Sequence, residues 1–252
     1  MIASLLTASH GYVRVIAKSA RRPTSAFRSV VQPGRLTNLE FTMVPNRQLQ
    51  FLRAGHVLLD PLAADARLEK AALLLAVVEL VDRCRPAGAR EGPLFALCMD
   101  YIKVLSCAPP GEEVSLFYAF ELSLLALQGV APTLASCSSC GNVHPVEGGS
   151  RQWFSPASGG LVCDRCRVDT GTADARNLTS EVLDVLLDLE MKSDGGLQTR
   201  PLESHVARQV GILLHRFLSF HLPGYQLPSA LELLRIPPDF PSGGKVQVEE
   251  WE

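Results

Sequence analysis

Two short stretches, Cys137-Ser-Ser-Cys140 and Cys163-Asp-Arg-Cys166, stand out in the 252-residue chain. Each is a C-x-x-C pair, and 22 residues separate the two pairs. Two thiolates three positions apart on a tight turn reach one ion, and two such turns complete the tetrahedron of four sulfurs that a structural zinc prefers. The spacing therefore predicts one Zn²⁺ bound by Cys137, Cys140, Cys163 and Cys166.

The predicted zinc is structural, because a site with four cysteine ligands leaves no open position for water. The zinc-deaminase pattern fails here: the local sequence is His144-Pro-Val-Glu147, and Leu161-Val162 precede the second pair. The chain also lacks the G-x-x-x-x-G-K-S/T, G-x-G-x-x-G, G-x-S-x-G and H-E-x-x-H motifs. We therefore expect a protein that is not an enzyme and binds no nucleotide.

The chain has seven cysteines, an odd number that cannot all form disulfides, and its N-terminal segment does not resemble a secretion signal. Both observations indicate a reducing compartment. Four unrelated buried cysteines are the main alternative to the zinc site. A thioredoxin-like redox pair is a second alternative, but it needs a βαβ context that the sequence does not offer. Cys84, Cys98 and Cys107 lie on apolar helical stretches and are expected in the core.

Around the cysteine pairs the chain reads as an α+β protein of two domains. Hydrophobic residues make up 47% of the chain, which excludes disorder of the whole chain, and the most apolar run, Ala71–Val81, is too short to cross a membrane. Residues 1–60 form the predicted β domain, and residues 61–235 the helical domain with the finger inserted at 131–172. The tail, residues 236–252, is expected to be disordered. The predicted strands are residues 11–18, 36–44 and 48–52, and the predicted helices are residues 62–84, 93–107, 112–128, 179–192 and 203–221.

Charge is unevenly divided between these domains. Residues 1–60 contain eight Lys or Arg and two acids, whereas the rest of the chain contains sixteen bases and twenty-four acids. This asymmetry points to a polyanionic partner of the β domain. Phe27 either stacks on an unpaired base or points into the core, and a merely solvated basic loop is the alternative for the whole segment. The cations expected to contact phosphates are Lys18, Arg21, Arg22, Arg28 and Arg35.

Read in order, several stretches resemble the RecO family of bacterial recombination mediators. Thr7-Ala-Ser-His-Gly11 is similar to the end of a family strand and its turn glycine, and residues 17–25 resemble the family's basic segment. Glu121-Leu-Ser-Leu-Leu-Ala-Leu-Gln-Gly129, followed by the first cysteine pair, is the most diagnostic stretch. Phe217–Leu222 resembles the last long helix, so that the resemblance covers about residues 2–235. Ser19 and Pro228 depart from the family pattern.

The resemblance implies an N-terminal OB-like domain, here expected to lack its first strand, followed by an all-α domain with an inserted four-cysteine zinc finger. It also implies binding to single- and double-stranded DNA, annealing of complementary strands, and loading of RecA onto DNA coated by single-strand-binding protein. The implied partners are RecR, the C-terminal tail of single-strand-binding protein and, indirectly, RecA, in the bacterial cytoplasm at the nucleoid. That tail ends in apolar residues and a carboxylate, so its binding site needs a hydrophobic groove with cations at the edge. Arg208 and Arg216 are the candidates for these cations.

Two other functions fit the same sequence features. One is a zinc-ribbon factor for transcription or RNA processing, which would show sequence preference. The other is a helical scaffold stabilised by zinc, which would bind only proteins and would not bind DNA. The residues themselves do not separate strand annealing from simple DNA binding.

Overall fold

The computed structural model describes residues 1–84, 91–143, 152–171, 173–191, 196–197 and 199–234. The tail predicted to be disordered, residues 236–252, lies outside the described residues, and so do residues 144–151 and 172 of the predicted finger. The strands are β1 Ile2–Thr7, β2 Gly11–Ile16, β3 Leu36–Thr42, β4 Gln50–Leu59, β5 Gln152–Ser155, β6 Gly160–Val162 and β7 Arg176–Leu178. The α-helices are α1 Phe27–Val30, α2 Leu68–Arg83, α3 Glu91–Cys107, α4 Glu113–Gln128, α5 Asp164–Thr170, α6 Ser180–Met191 and α7 Ser204–His221.

The N-terminal sheet has the strand order β1-β2-β4-β3. β1 and β2 form one antiparallel hairpin, β3 and β4 form another, and a short parallel pairing of β2 with β4 joins them. This four-stranded mixed sheet agrees with the predicted OB-like β domain. In the described part of the chain, β1 and β3 each pair with one neighbour, so both are edge strands. Such edges present unpaired backbone groups and are templates for pairing with another chain.

Alternation along β2 explains how this sheet buries its core. Val13 and Val15 point inward and are buried, whereas Arg14 between them is exposed. Successive side chains of a strand face opposite sides of the sheet, so the strand separates the apolar core from solvent. Leu52 of β4 and Val30 of α1 complete the small core of the β domain.

The helical domain forms the larger core, around α4. This helix is apolar almost all round, as expected of a helix surrounded by others, and Leu116, Phe120 and Leu124 are fully buried. α2, α3, α6 and α7 each pack against it. α4 ends where predicted, at Gly129, whose left-handed backbone lets its N–H cap the last turn.

Three features differ from the sequence prediction: the start of α2, the exposure of Cys107, and the length of β4, which covers Gln50–Leu59 instead of residues 48–52. α2 begins at Leu68 rather than at residue 62. The Asp60 carboxylate accepts a hydrogen bond from the backbone N–H of Leu62, which forms a turn there, and the backbone of Arg67 is extended. Cys107, expected in the core, is exposed, because it is the last residue of α3. Cys84 is buried and Cys98 is partly buried, close to the prediction.

The finger and the C-terminal segment are both attached to the helical core. β5 lies between β6 and β7 in a three-stranded antiparallel sheet, and β5 and β6 form a hairpin between the two cysteine pairs. A 3-10 helix, Ser229–Leu234, packs on α2, where the Glu79 carboxylate accepts hydrogen bonds from Ser229 and Ala230. None of the described helices combines the length and apolar character that crossing a bilayer requires.

Candidate metal centre and nucleic-acid interface

The four predicted ligands form one cluster. The Sγ atoms of Cys137, Cys140, Cys163 and Cys166 all lie within 4.8 Å of one another, and those of Cys140 and Cys163 are 3.9 Å apart. A tetrahedral ion with bonds of about 2.3 Å holds its sulfurs about 3.8 Å apart. The cluster therefore has the size of a zinc site with four cysteine ligands.

Backbone hydrogen bonds form the first cysteine turn. The Gly141 N–H donates to the Cys137 carbonyl at 2.8 Å, and the Cys137 N–H donates to the Asn142 carbonyl at 2.9 Å. Gly141 has φ of +74°, a left-handed conformation that glycine adopts without steric cost. Ser138 then donates to the Leu161 carbonyl through both its N–H and its hydroxyl, at 2.8 and 2.9 Å. The first pair is thereby fixed to β6.

The second pair begins α5, with Cys163 as its N-cap: its sulfur accepts the Cys166 N–H at 3.4 Å. The Cys163 N–H in turn donates to the Cys137 sulfur at 3.4 Å. Burial disfavours the Cys137 thiolate, but backbone N–H groups of Cys163, Cys140 and Ser139 outweigh it and lower the pKa of Cys137 to about 6. Hydrogen bonding with the Cys163 and Cys140 sulfurs raises the pKa of Cys166, and a bound divalent cation would offset the mutual repulsion of four thiolates.

The finger sheet is packed into the helical core rather than projecting from it. Phe154 of β5 is buried, and its ring centroid lies 5.6 Å from that of Phe217 on α7. His221 Nε2 lies 2.8 Å from the Pro156 carbonyl oxygen. On the other face of β5, the Arg167 guanidinium lies 4.0 Å above the Trp153 ring. The finger sheet therefore connects the cysteine cluster to the core of the helical domain.

Four of the five predicted DNA-contacting cations project from one region of the β domain. Lys18 follows β2, Arg21 and Arg22 lie on the tight turns after it, and Arg28 lies on α1; all four side chains are exposed. Ala17 and Ala20 are buried and anchor this segment to the core of the β domain, so that the polar residues between them face outward.

Arg35 is placed differently from the other four. Its guanidinium forms an ion pair with Asp60 at 2.5 Å and donates to the Ser29 carbonyl at 2.6 Å. Phe27 packs partly buried against the sheet core, which favours the core interpretation over base stacking. The charge of Arg35 is thus largely compensated within the protein.

The structure adds an aromatic–cation group that the sequence analysis did not single out. The Lys18 ammonium lies 5.3 Å, and the Arg47 guanidinium 5.6 Å, from the centroid of the Phe51 ring. Phe51 is opposite Ile16 in the parallel pairing of β2 with β4, which brings Lys18 beside it. The sequence signal was weak, because Arg47 and Phe51 are about thirty residues away from the basic segment.

A second surface lies where the finger sheet meets α7. A cavity of about 230 Å³, the finger–α7 cavity, is lined by apolar side chains that include Phe154, Leu178 and Leu213. Arg176 of β7 and Arg216 of α7 also line it, whereas Arg208 does not. Arg208 and Arg216 were proposed from the sequence to border a partner-binding site. Of the two, only Arg216 lines this apolar cavity.

Comparison with known proteins agrees with this architecture. The family described as "Recombination protein O N terminal" matches residues 1–59, and "Recombination protein O C terminal" matches residues 66–230. The DNA repair protein RecO of Desulforudis audaxviator is 32% identical over 232 residues, which cover 92% of this chain and 88% of that protein.

Two further relatives share the same description. The DNA repair protein RecO of Synechococcus sp. is 30% identical over 239 residues, covering 87% of this chain and 74% of that protein. The DNA repair protein RecO of Pelotomaculum thermopropionicum is 28% identical over 223 residues, covering 88% of this chain and 82% of that protein. Since both family domains and these relatives span most of its length, the chain belongs to the RecO family of DNA repair and recombination proteins.

Proposed function

We propose that the protein is a non-enzymatic mediator of homologous recombination in the bacterial cytoplasm, acting at the nucleoid. It binds single- and double-stranded DNA and anneals complementary strands. Together with RecR, it helps to load RecA onto DNA coated by single-strand-binding protein. The contact to that coating protein is made through its C-terminal tail, for which Arg208 and Arg216 are the candidate residues.

The observation that carries this proposal is the exposed cationic segment of the β domain. Lys18, Arg21, Arg22 and Arg28 are solvent-accessible, and no acid interrupts the sequence between them. Phosphate contacts by such residues supply affinity without reading sequence. Arg35 stays among the proposed phosphate contacts as the weakest of the five, because its guanidinium is paired with Asp60.

Phe51 extends the same surface with a ring for stacking. Aromatic side chains beside cations bind unpaired bases with little sequence preference. A base that stacks on Phe51 would take the place of Lys18 or Arg47 over the half-buried ring, and the displaced cation would be free to contact a flanking phosphate. This arrangement favours single strands, the substrate that annealing requires.

The zinc ion has a structural role in this proposal. When bound by the four cysteines it would supply the charge that holds the two turns together, and it takes no part in a chemical step. The acidic helical domain then offers protein-binding surfaces, while DNA stays on the basic β domain.

The test is the salt dependence of DNA binding by the Arg21→Ala/Arg22→Ala double variant. Each lost phosphate contact reduces the slope of log K against log salt by about 0.7 on single strands and about 0.9 on duplex. The double variant should therefore lose roughly 1.4 and 1.8 from the two slopes, similarly for all sequences. A Lys103→Ala/Arg165→Ala variant removes two exposed cations of the helical domain and should keep the parental slopes.

Two results would contradict the proposal. Superimposable binding curves for the parent and the Arg21→Ala/Arg22→Ala variant would place the DNA site elsewhere. A strong preference for one sequence among DNAs of equal length would favour the zinc-ribbon factor instead.

A further inference from the structure

A cavity of about 830 Å³ lies between the two edge strands of the N-terminal sheet, and we call it the β1–β3 gap. All of β1 and most of β3 line it, together with parts of α2 and α3. Among the lining side chains, Leu5 and Leu39 pack on the core of the β domain, whereas Leu74 and Val77 belong to the core of the helical domain. The gap therefore lies where the two hydrophobic cores meet, and its walls are mainly apolar.

The pairing of the four strands determines which chain direction fits this gap. β1 and β3 are each antiparallel to their neighbours, β2 and β4, which are parallel to each other. β1 and β3 consequently run in the same direction, so one strand in the opposite direction would be antiparallel to both. Such a strand would pair with the backbone groups at both edges and bury apolar side chains in the gap. A small molecule would leave those backbone groups without partners.

The C-terminal tail of the chain contains a segment with the required pattern. After the Pro- and Gly-rich residues 237–244, the sequence Lys245-Val-Gln-Val-Glu249 alternates between polar and β-branched apolar residues. This alternation is typical of a strand with one buried face, which Val246 and Val248 would share. The tail ends in three acids, Glu249, Glu250 and Glu252.

The tail starts close enough to reach the gap. The 3-10 helix Ser229–Leu234 packs on α2, which also lines the gap, and Leu234 is the last residue that the structure describes. α2 has 16 residues and is therefore about 24 Å long. The chain from Leu234 to Lys245 spans up to about 36–40 Å when it is extended. This tether is longer than the helix on which its starting point and the gap both lie.

We propose that residues 245–249 of the tail insert between β1 and β3 as a fifth strand, antiparallel to both, with Val246 and Val248 in the apolar interior. Three observations support this occupant. The two edges run in the same direction and accept one oppositely directed strand, the tail contains a segment with the matching alternation, and its tether reaches the gap. Addition of a strand to an exposed sheet edge is a recurring mode of peptide recognition. The inserted segment would cover the apolar walls of the gap.

The inserted strand would also regulate DNA binding, and this part of the inference rests on the proposed function. A strand antiparallel to β1 leaves the gap at the start of β1, where Met1 is hydrogen-bonded to Ala17, the residue before Lys18. The three acids that end the tail would then lie beside the exposed cations of the β domain. They would compete with phosphates for those cations, so the tail would be an autoinhibitory segment.

Hydrogen exchange of the full-length protein, followed by mass spectrometry, tests the inserted strand. In the parent, the tail segment should protect backbone amides of β1 and β3 from exchange. Val246→Ser/Val248→Ser removes the two buried side chains and should raise the exchange rates of both strands by about tenfold or more. Lys245→Ser/Gln247→Ser changes the opposite face of the same segment and should keep the parental rates.

DNA affinity measures the competition between the tail and DNA. Glu249→Gln/Glu250→Gln should raise the affinity for single strands by roughly tenfold at about 0.1 M salt, because two phosphate contacts become available to DNA. Glu69→Gln/Glu232→Gln removes two exposed acids of the helical domain and should keep the parental affinity.

Equal exchange rates of β1 and β3 in the parent and in Val246→Ser/Val248→Ser would overturn the inserted strand. Protection that rises with protein concentration would also overturn it and would assign the gap to a second copy of the chain. Faster exchange in the valine variant, with unchanged DNA affinity in Glu249→Gln/Glu250→Gln, would refute the autoinhibition alone. If the parent does not bind DNA, the proposed function fails, and the exchange rates still decide whether the tail is inserted.

Discussion

The Cys163→Ser substitution should destabilise the helical domain as a whole, not only the finger. The segment that carries the four cysteines contributes Leu134, Phe154 and Leu161 to the main hydrophobic core, and β7, which pairs with β5, contributes Leu178. These side chains are at most 8% exposed. If loss of one ligand frees the finger, all four become exposed to solvent.

The size of the effect follows from this burial. Four large apolar side chains at about 1.5–3 kcal/mol each amount to roughly 6–12 kcal/mol, comparable to the whole stability of a typical domain, about 5–15 kcal/mol. Even if only about 3 kcal/mol is lost, the melting temperature of a protein of this size should fall by about 6–12 °C. Zinc release and helix unfolding should therefore be one transition.

The assay follows thermal unfolding by far-ultraviolet circular dichroism in the presence of a zinc-sensitive dye. In the parent, the helix signal and the dye signal should change at the same midpoint, and Cys163→Ser should melt well below it. Cys107→Ser, which changes an exposed cysteine outside the cluster, should leave the midpoint within about 2 °C. Purified protein without zinc, or zinc release that leaves helix unfolding unchanged, would refute this reasoning.

Three further predictions concern stability. Burial raises the pKa of Glu121 well above its ordinary value, so the stability that its neutral form contributes is present at low pH and is lost as pH rises toward the folded-state pKa. The stability of Glu121→Gln relative to the parent should therefore increase with pH. Denaturant midpoints of both proteins at pH 5 and pH 8 check this. Gly160 has φ of +148°, and an added Cβ would lie 2.3 Å from the Thr133 carbonyl oxygen. Gly160→Ala should therefore lower the free energy of unfolding, measured with denaturant, by about 1–3 kcal/mol. Gly92→Ala should not lower it, because a Cβ there has no neighbour within 4 Å. Arg35→Ala should cost about 0.5–1 kcal/mol of stability and change the salt slope of DNA binding less than Arg21→Ala, because its guanidinium is already ion-paired.

Local periodicity was sufficient to predict the helical domain. The predicted helices 112–128 and 203–221 agree within one residue at each end with α4 and α7. The start of α2 was predicted six residues early, because a long apolar run does not reveal that Asp60 caps a turn at Leu62. The short elements α1, α5 and β7 were missed, since three to seven residues carry no measurable period.

The candidate metal centre was predictable because its ligands have a fixed sequence spacing. The basic segment was visible from charge alone, but the pairing of Arg35 with Asp60 depends on strands that meet only in the fold. The same holds for Phe51 beside Lys18, and for Arg176 beside Arg216, which come from distant elements. Such contacts depend on sheet register and helix packing, which a single sequence does not determine.

The most direct test of the central claim is strand annealing on coated DNA. Complementary labelled oligonucleotides are covered with single-strand-binding protein, and duplex formation is followed by energy transfer after the protein is added. The account predicts that the protein accelerates annealing, that Arg21→Ala/Arg22→Ala slows this, and that Lys103→Ala/Arg165→Ala does not. Full DNA binding without any acceleration of annealing, on bare or coated strands, would contradict the account.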